Sequence, residues 1–580
     1  MSSLFIGLML LQVAAAPPSA TSQADIAFHA GYAAMQANDL PRAEAEFQKV
    51  VRLAPKIAAG HSALGAVLLA EGNLAPATRE LDLAHRLDPG DTAATENLAI
   101  AYSRQQKSSE SLPLFRLLDD AHVALSPDGS VAYASELLSA GQTATAERHL
   151  TNAVAVAPDS AELHDALGSV LARQQKFTEA QPHFERAISL DNSLASARLH
   201  LGSLLLIQQK APEAVAELST ATKLAPNSAE AYTQLGKALI ATGNDTDALE
   251  ALRHATTLNP SSIEAKYTLA LALQNSGQFR EALPLFEQTV AARTDDASAL
   301  TNLGLAMVQS GKAKEAIPIY KRAAVLDPKN AILREDMGVA YLQQSDLDGA
   351  IREFQAGLEV DPTNAQLHYD LGLAYKLKDK IPEAIAALEQ AQKEDPTLTD
   401  PPYTLGVLYM QVGRFADAAN ELEKAIALRS DYGEAWYTLG SVYNQMDAPE
   451  KAAAALGHAI ELLPDQPGPH ITLASVLSKQ HDTAGAAAER KKGADLSRVA
   501  VNRQRANFAL DSGNVLLKKG QIAEAVQQFQ TAVAADPGYA AAHLALADAL
   551  TRQGKAADAA LEREKAEALQ QQIGAPKATQ

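Results

Sequence analysis

A spacing of 34 residues runs along this chain of 580 and constrains its fold more than any other feature. Gly31, Ala43, Phe47 and Pro55 set a frame that Gly65, Ala77, Leu81 and Pro89 repeat. The frame returns at Gly168, Ala180 and Phe184, at Gly202, Ala214, Leu218 and Pro226, and at Gly236, Ala248, Leu252 and Pro260. It continues through Gly338, Ala350, Phe354 and Pro362, then Gly372, Ala384, Leu388 and Pro396, then Gly440, Ala452, Leu456 and Pro464. Counted from residue 24, it yields sixteen units: two in 24–91, a looser one in 92–126, eleven in register over 127–500, and two in 506–573. Residues 1–23 are left as a leader and linker, 501–505 as a spacer and 574–580 as a tail.

Each recurring position has a physical reading. Position 8 is Gly or Ala in all sixteen units and position 20 is Ala in fifteen, Ser111 being the exception. Small residues at that separation let two helices cross closely, where a larger side chain would hold the backbones apart. Position 24 is large and apolar in fourteen units and fills the space against neighbouring helices. Proline near position 32 stops the second helix, and the Asp or Asn beside it offers turn and cap acceptors. Two breaks stand out. Arg490 and Arg563 are the only charged residues at position 24. Arg563 lies in the last unit, where a polar outer face suits a cap. Arg490 precedes the spacer, so a longer helix or a kink is expected there, and off-register Ser108–Ser126 is expected to form a bend or loop.

These residue types at these offsets resemble the tetratricopeptide repeat family, and the resemblance covers residues 24 to about 573. It implies an all-α, right-handed α-solenoid of about sixteen 34-residue helix-turn-helix repeats, making about two superhelical turns. It also implies a concave groove, lined by the first helix of each repeat, that binds peptides or proteins.

The remaining sequence narrows the function classes. A net charge of −19 disfavours nucleic acid and anionic membrane surfaces, which need clustered Lys and Arg. The chain has no cysteine, which removes disulfides, thiolate nucleophiles, zinc–thiolate sites and a bacterial lipoprotein anchor. Zinc-protease, nucleophile-elbow and phosphate-loop patterns are missing; Ser310-Gly311-Lys312 lacks the earlier glycine and falls at an inter-helix turn. His164, His368, His470 and His543 share position 4 with Trp436, which points to packing between helices. No metal and no cofactor is expected. The apolar run Leu4–Val13, followed by Ala14-Ala15-Ala16, has the form of a signal peptide and is too short to span a bilayer. Export to the periplasm or beyond is therefore expected, with a cytoplasmic protein as the alternative, and no other segment could cross a membrane.

The first helices carry the one functional signal. Across repeats eight to thirteen, position 5 holds Tyr267, Thr301, Glu335, Tyr369, Tyr403 and Tyr437. Position 9 holds Leu271, Leu305, Val339, Leu373, Val407 and Ser441, and position 13 holds Asn275, Gln309, Gln343, Leu377, Gln411 and Gln445. An aromatic row, an aliphatic row and an amide row side by side can take the apolar edge and the backbone of a peptide. Tyrosine at position 5 is also common in the family at large. Two binding modes of the family are not represented: Lys237 and Asn514 are lone candidates for a carboxylate clamp, and Asn97 and Asn302 for an asparagine ladder. The expected function is a non-enzymatic scaffold or adaptor for peptide or protein partners. The alternative is a structural accessory subunit of a bacterial cell-envelope assembly or secretion machine handling polysaccharide or outer-membrane cargo. A regulatory arm of an enzyme complex is the remote third.

Overall fold

The structure, a computed structural model, describes residues 20–574, with side chains over 23–570. The expected signal peptide lies outside the described residues. Among those residues there are thirty-one helices and no strand. They divide into two compact units, one ending at Ser310 and the other starting at Gly311. Each unit is an α-solenoid of antiparallel helix pairs stacked on their neighbours in sequence. Among the described residues no helix is long and apolar enough to cross a membrane.

Repeat five shows how the sequence writes the unit. Its first helix spans Ala161–Arg173 and its second Phe177–Leu190. Ser160 accepts a hydrogen bond from the Leu163 N–H, which caps the first helix. At position 15 the chain turns through the left-handed region: φ is 61° at Gln175 here and 74° at Gly243 two repeats on. The second helix closes at Asp191, whose carboxylate takes the Ser193 N–H at 2.9 Å and sets the turn to the next repeat.

Positions 8, 20 and 24 form one contact. A Cβ on Gly168 would lie 2.7 Å from the Phe184 ring, and one on Gly372 would lie 2.7 Å from Leu388. One on Gly406 would come within 3.3 Å of the Ala418 carbonyl, at position 20. Glycine at position 8 is therefore the floor on which the position 24 side chain rests. The Ser111 exception has its own explanation: fully buried, it donates from Oγ to the Ala99 carbonyl at 2.9 Å, joining position 20 to position 8. Because each repeat touches only its neighbours, Ala350→Leu should overpack one crossing and cost about 1–3 kcal/mol locally. Hydrogen exchange should quicken around that repeat and the next, with distant repeats still protected. Uniform loss of protection would contradict a stacked-repeat core.

In several repeats the position 4 side chain fastens the repeat to the one before it. His61, His164, His368 and His543 place Nε2 within 2.9–3.0 Å of the carbonyls of Pro55, Pro158, Pro362 and Pro537. Trp436 donates from Nε1 to Ser430 O at 2.9 Å in the same manner. Nδ1 of His61, His470 and His543 faces Glu80, Glu489 and Glu562 on the repeat's own second helix. Arg334 replaces that pair by an ion pair to Glu353 at 2.8 Å. Sequence reading found the shared position but not the carbonyl it holds.

The two expected irregularities differ. Ser108–Asp120 is a regular helix, so the bend near repeat three is confined to the connection before Pro127. Residues 501–505 lie inside one 36-residue helix, Thr483–Lys518, which fuses the second helix of repeat fourteen to the first of repeat fifteen. Arg490 has no apolar filler role there and stays exposed. Fusion also leaves Phe508, which would otherwise face a preceding repeat, 77% exposed.

Candidate groove on the first helices

The three rows are graded in exposure as a contact surface should be. In the unit ending at Ser310, Tyr267, Leu271 and Leu305 are half-buried, whereas Asn275 and Gln309 are exposed. In the unit starting at Gly311, Tyr369, Tyr403 and Tyr437 at position 5 and Val339, Leu373 and Val407 at position 9 are half-buried. The position 13 side chains Gln343, Gln411 and Gln445 are exposed, as is Leu377 in the same row. Helical spacing puts positions 5, 9 and 13 on one stripe, so each unit carries its rows on one face of its first helices.

The position 5 rings also bind repeats together. Tyr267 receives the Asn302 amide on its hydroxyl at 3.0 Å and meets Phe286 edge-on at 6.0 Å. Tyr369 is hydrogen-bonded to Thr404, and Tyr403 packs on Tyr432 at 4.7 Å. The Tyr437 hydroxyl lies 2.9 Å from where a Cβ on Gly468 would stand. Burial raises the pKa of Tyr267 and of Tyr369, so both stay phenolic donors at neutral pH. The clamp and ladder candidates serve the fold: Lys237 pairs with Glu264 at 2.5 Å, and Asn302 accepts from Gln274 at 3.3 Å besides holding Tyr267.

A second tyrosine row, at position 11, escaped the sequence reading. Tyr341, Tyr409 and Tyr443 are buried, and Tyr375 is half-buried. Tyr409 donates to Glu389 at 2.6 Å and Tyr443 to Glu423, each on the second helix of the preceding repeat. Arg414 lies 4.3 Å from the Tyr409 ring and Lys451 5.3 Å from that of Tyr443. This row seals the repeat interface. The position 5 row is the one with surface to offer.

Position 6 adds charge to the face in the unit starting at Gly311. Asp336 and Asp370 are half-buried next to Glu335 and Tyr369. Burial, and then the Glu335 charge, pushes both aspartates up to about 7. Burial alone raises Glu335. Among the described residues no group of three His, Cys, Asp or Glu side chains is arranged to hold a metal ion.

Comparison with known proteins agrees with the geometry. A sequence profile described as "Tetratricopeptide repeat" matches residues 28–92, 132–195, 166–228, 199–263, 267–331 and 403–467. Two further repeat profiles match 338–379 and 513–554, and 365–398. No curated protein matches the sequence. Among solved structures, MamA 41-end from Desulfovibrio magneticus RS-1 is 26% identical, covering 29% of this chain and 95% of its own, with a TM-score of 0.28. YrrB, described as a TPR protein with an unusual peptide-binding site, is 21% identical over 34% of this chain and 97% of its own, TM-score 0.30. A chain of an APC/C hetero-tetramer is 14% identical over 91% of this chain and 97% of its own, TM-score 0.32.

Proposed function

We propose, for a chain that belongs to the tetratricopeptide repeat family, that it is a non-enzymatic interaction scaffold holding an extended segment of a protein partner along its first helices. One observation carries this reading: the aromatic and aliphatic rows are half-buried while the amide row beside them is exposed. Half-buried rings are already ordered by the fold, so a ligand gains contact area without the full entropic cost of fixing them. Exposed amides can both donate to and accept from a peptide backbone. Capture of native partners by the wild type and by a variant lacking the tyrosines of this row tests it, and equal capture by the two would sink it.

The apolar Leu4–Val13 run and the Ala14–Ala16 site support export of the scaffold. N-terminal sequencing of the native protein should find a start within roughly ten residues after Ala16. Cytosolic protein with Ser2 retained would rule this out.

A further inference from the structure

Repeats meet in a fixed register that brings position 5 of one against position 6 of the next. Tyr267 meets Asn302 there at 3.0 Å, Asp165 meets His200 at 2.7 Å, and Tyr369 bonds to Thr404. Glu335 and Asp370 occupy the same two positions, so the register sets a carboxylate against a carboxylate. Asp336, beside Glu335 on the same helix (Ala331–Gln343), adds a third. The charges acting on Asp336 and Asp370 come from Glu335. Arg334, the cation next to them in sequence, is committed to Glu353 at 2.8 Å. Gln366 gives one amide hydrogen bond to Asp370 at 3.1 Å.

A second observation comes from beneath the cluster. Position 24 of one repeat packs on position 6 of the next, as Phe184 does on His200 with ring centres 5.6 Å apart. Tyr320 and Asp336 are the equivalent pair. Tyr320 is fully buried, and its hydroxyl has no hydrogen-bond partner among the described residues. Asp336 is the charge that acts on it. A buried hydroxyl left unpaired is costly, and nothing in packing requires it where other repeats use Phe or Leu.

We infer that Glu335, Asp336 and Asp370, with the Tyr320 hydroxyl as floor, form a receptor for a lysine or arginine side chain of the partner segment. This rests on the groove reading above and names the chemistry the groove selects. An ammonium or guanidinium brings several N–H donors and a positive charge to three carboxylates and a phenol oxygen, of which only Asp370 has a donor named above, the Gln366 amide. The apolar rows at positions 5 and 9 would hold the stem of that side chain and its neighbours.

The experiment is selection of a random peptide library, displayed on phage, against the full-length protein. Selected peptides are then measured on the wild type, on a Glu335→Gln, Asp336→Asn, Asp370→Asn variant, on Glu335→Gln alone, and on a Tyr403→Ala, Tyr437→Ala variant. The expected result is a recurring Lys or Arg, with binding lost roughly thirtyfold or more when it is replaced by norleucine or citrulline, or in the amide variant. Glu335→Gln alone should give a smaller loss of the same kind and guards against misfolding of the triple change. Peptides that depend on the tyrosines, carry no recurring basic residue and ignore the amide variant would overturn the receptor and leave the groove standing. Peptides indifferent to both sets of variants would overturn both.

Discussion

Alanine in place of Tyr369, Tyr403 and Tyr437 should weaken partner capture by ~100-fold or more, since truncated interface tyrosines often cost about 2 kcal/mol each. The three recur at one position of successive repeats, so a segment lying along the face touches all of them. Their contacts with Thr404, Tyr432 and Gly468 mean that alanine also loosens the repeats. Tyr→Phe at the same sites separates the two effects, because it keeps the ring packed and removes only the hydroxyl. Circular dichroism and the melting temperature then report the structural share. Alanine at the exposed second-helix residues Lys393, Asn420 and Glu450 should leave capture within about twofold, as surface changes away from an interface usually do. Glu389 and Glu423 are unsuitable as such controls, since each accepts a hydrogen bond from a buried tyrosine. Full capture by the alanine triple would move the binding surface away from the first helices and favour the envelope-subunit reading.

The repeat was legible because its constraint is local and blunt. A side chain larger than alanine at position 8 collides with position 24, so the period is written in residue size and survives wide variation elsewhere. Even Ser111, the misfit, obeys the same geometry through a hydrogen bond to Ala99. The fused helix Thr483–Lys518 was half visible, since the missing proline and Arg490 marked a break without saying that the backbone would run straight through it. The position 11 tyrosines recur every 34 residues, but their hydrogen bonds to the preceding repeat were not legible; the acidic cluster was hidden by register. Rows compared at equal positions pair residues 34 apart, whereas Asp165–His200 and Tyr267–Asn302 are 35 apart. Glu335 and Asp370 therefore fell in different rows and their confrontation went unseen until the helices were stacked. The seam between repeats holds much of what distinguishes one solenoid from another, and it is the part a single-row reading skips.

That confrontation predicts an unusual pH dependence. Asp336 and Asp370 lie at about 7 in the fold against an ordinary value of 3.8. The groups that set this are burial and Glu335, with the Gln366 amide opposing it at Asp370 and the Tyr320 phenol behind Asp336. A folded value above the unfolded one means that the native state holds protons which the unfolded chain releases between about pH 4 and pH 7. Stability from this pair is therefore complete below pH 4, falls as pH rises through that window, and is lost above it. Asp336→Asn with Asp370→Asn removes the ionisation, so the variant should gain about 3 kcal/mol over wild type at pH 8, after allowance for partial solvent access, and little at pH 4. The chain has a single tryptophan, Trp436, two repeats from Asp370 in the same unit, so its fluorescence can follow urea unfolding there. Carboxylates elsewhere that are held below their usual range, such as Glu562 beside Lys565 and His543, impose the opposite trend. They are common to both proteins and cancel in the difference. Parallel pH curves for wild type and variant would show that the carboxylates are separately solvated. If they are coupled, a bound basic peptide should reverse the wild-type loss above pH 7, since its charge replaces the protons that the pair gives up.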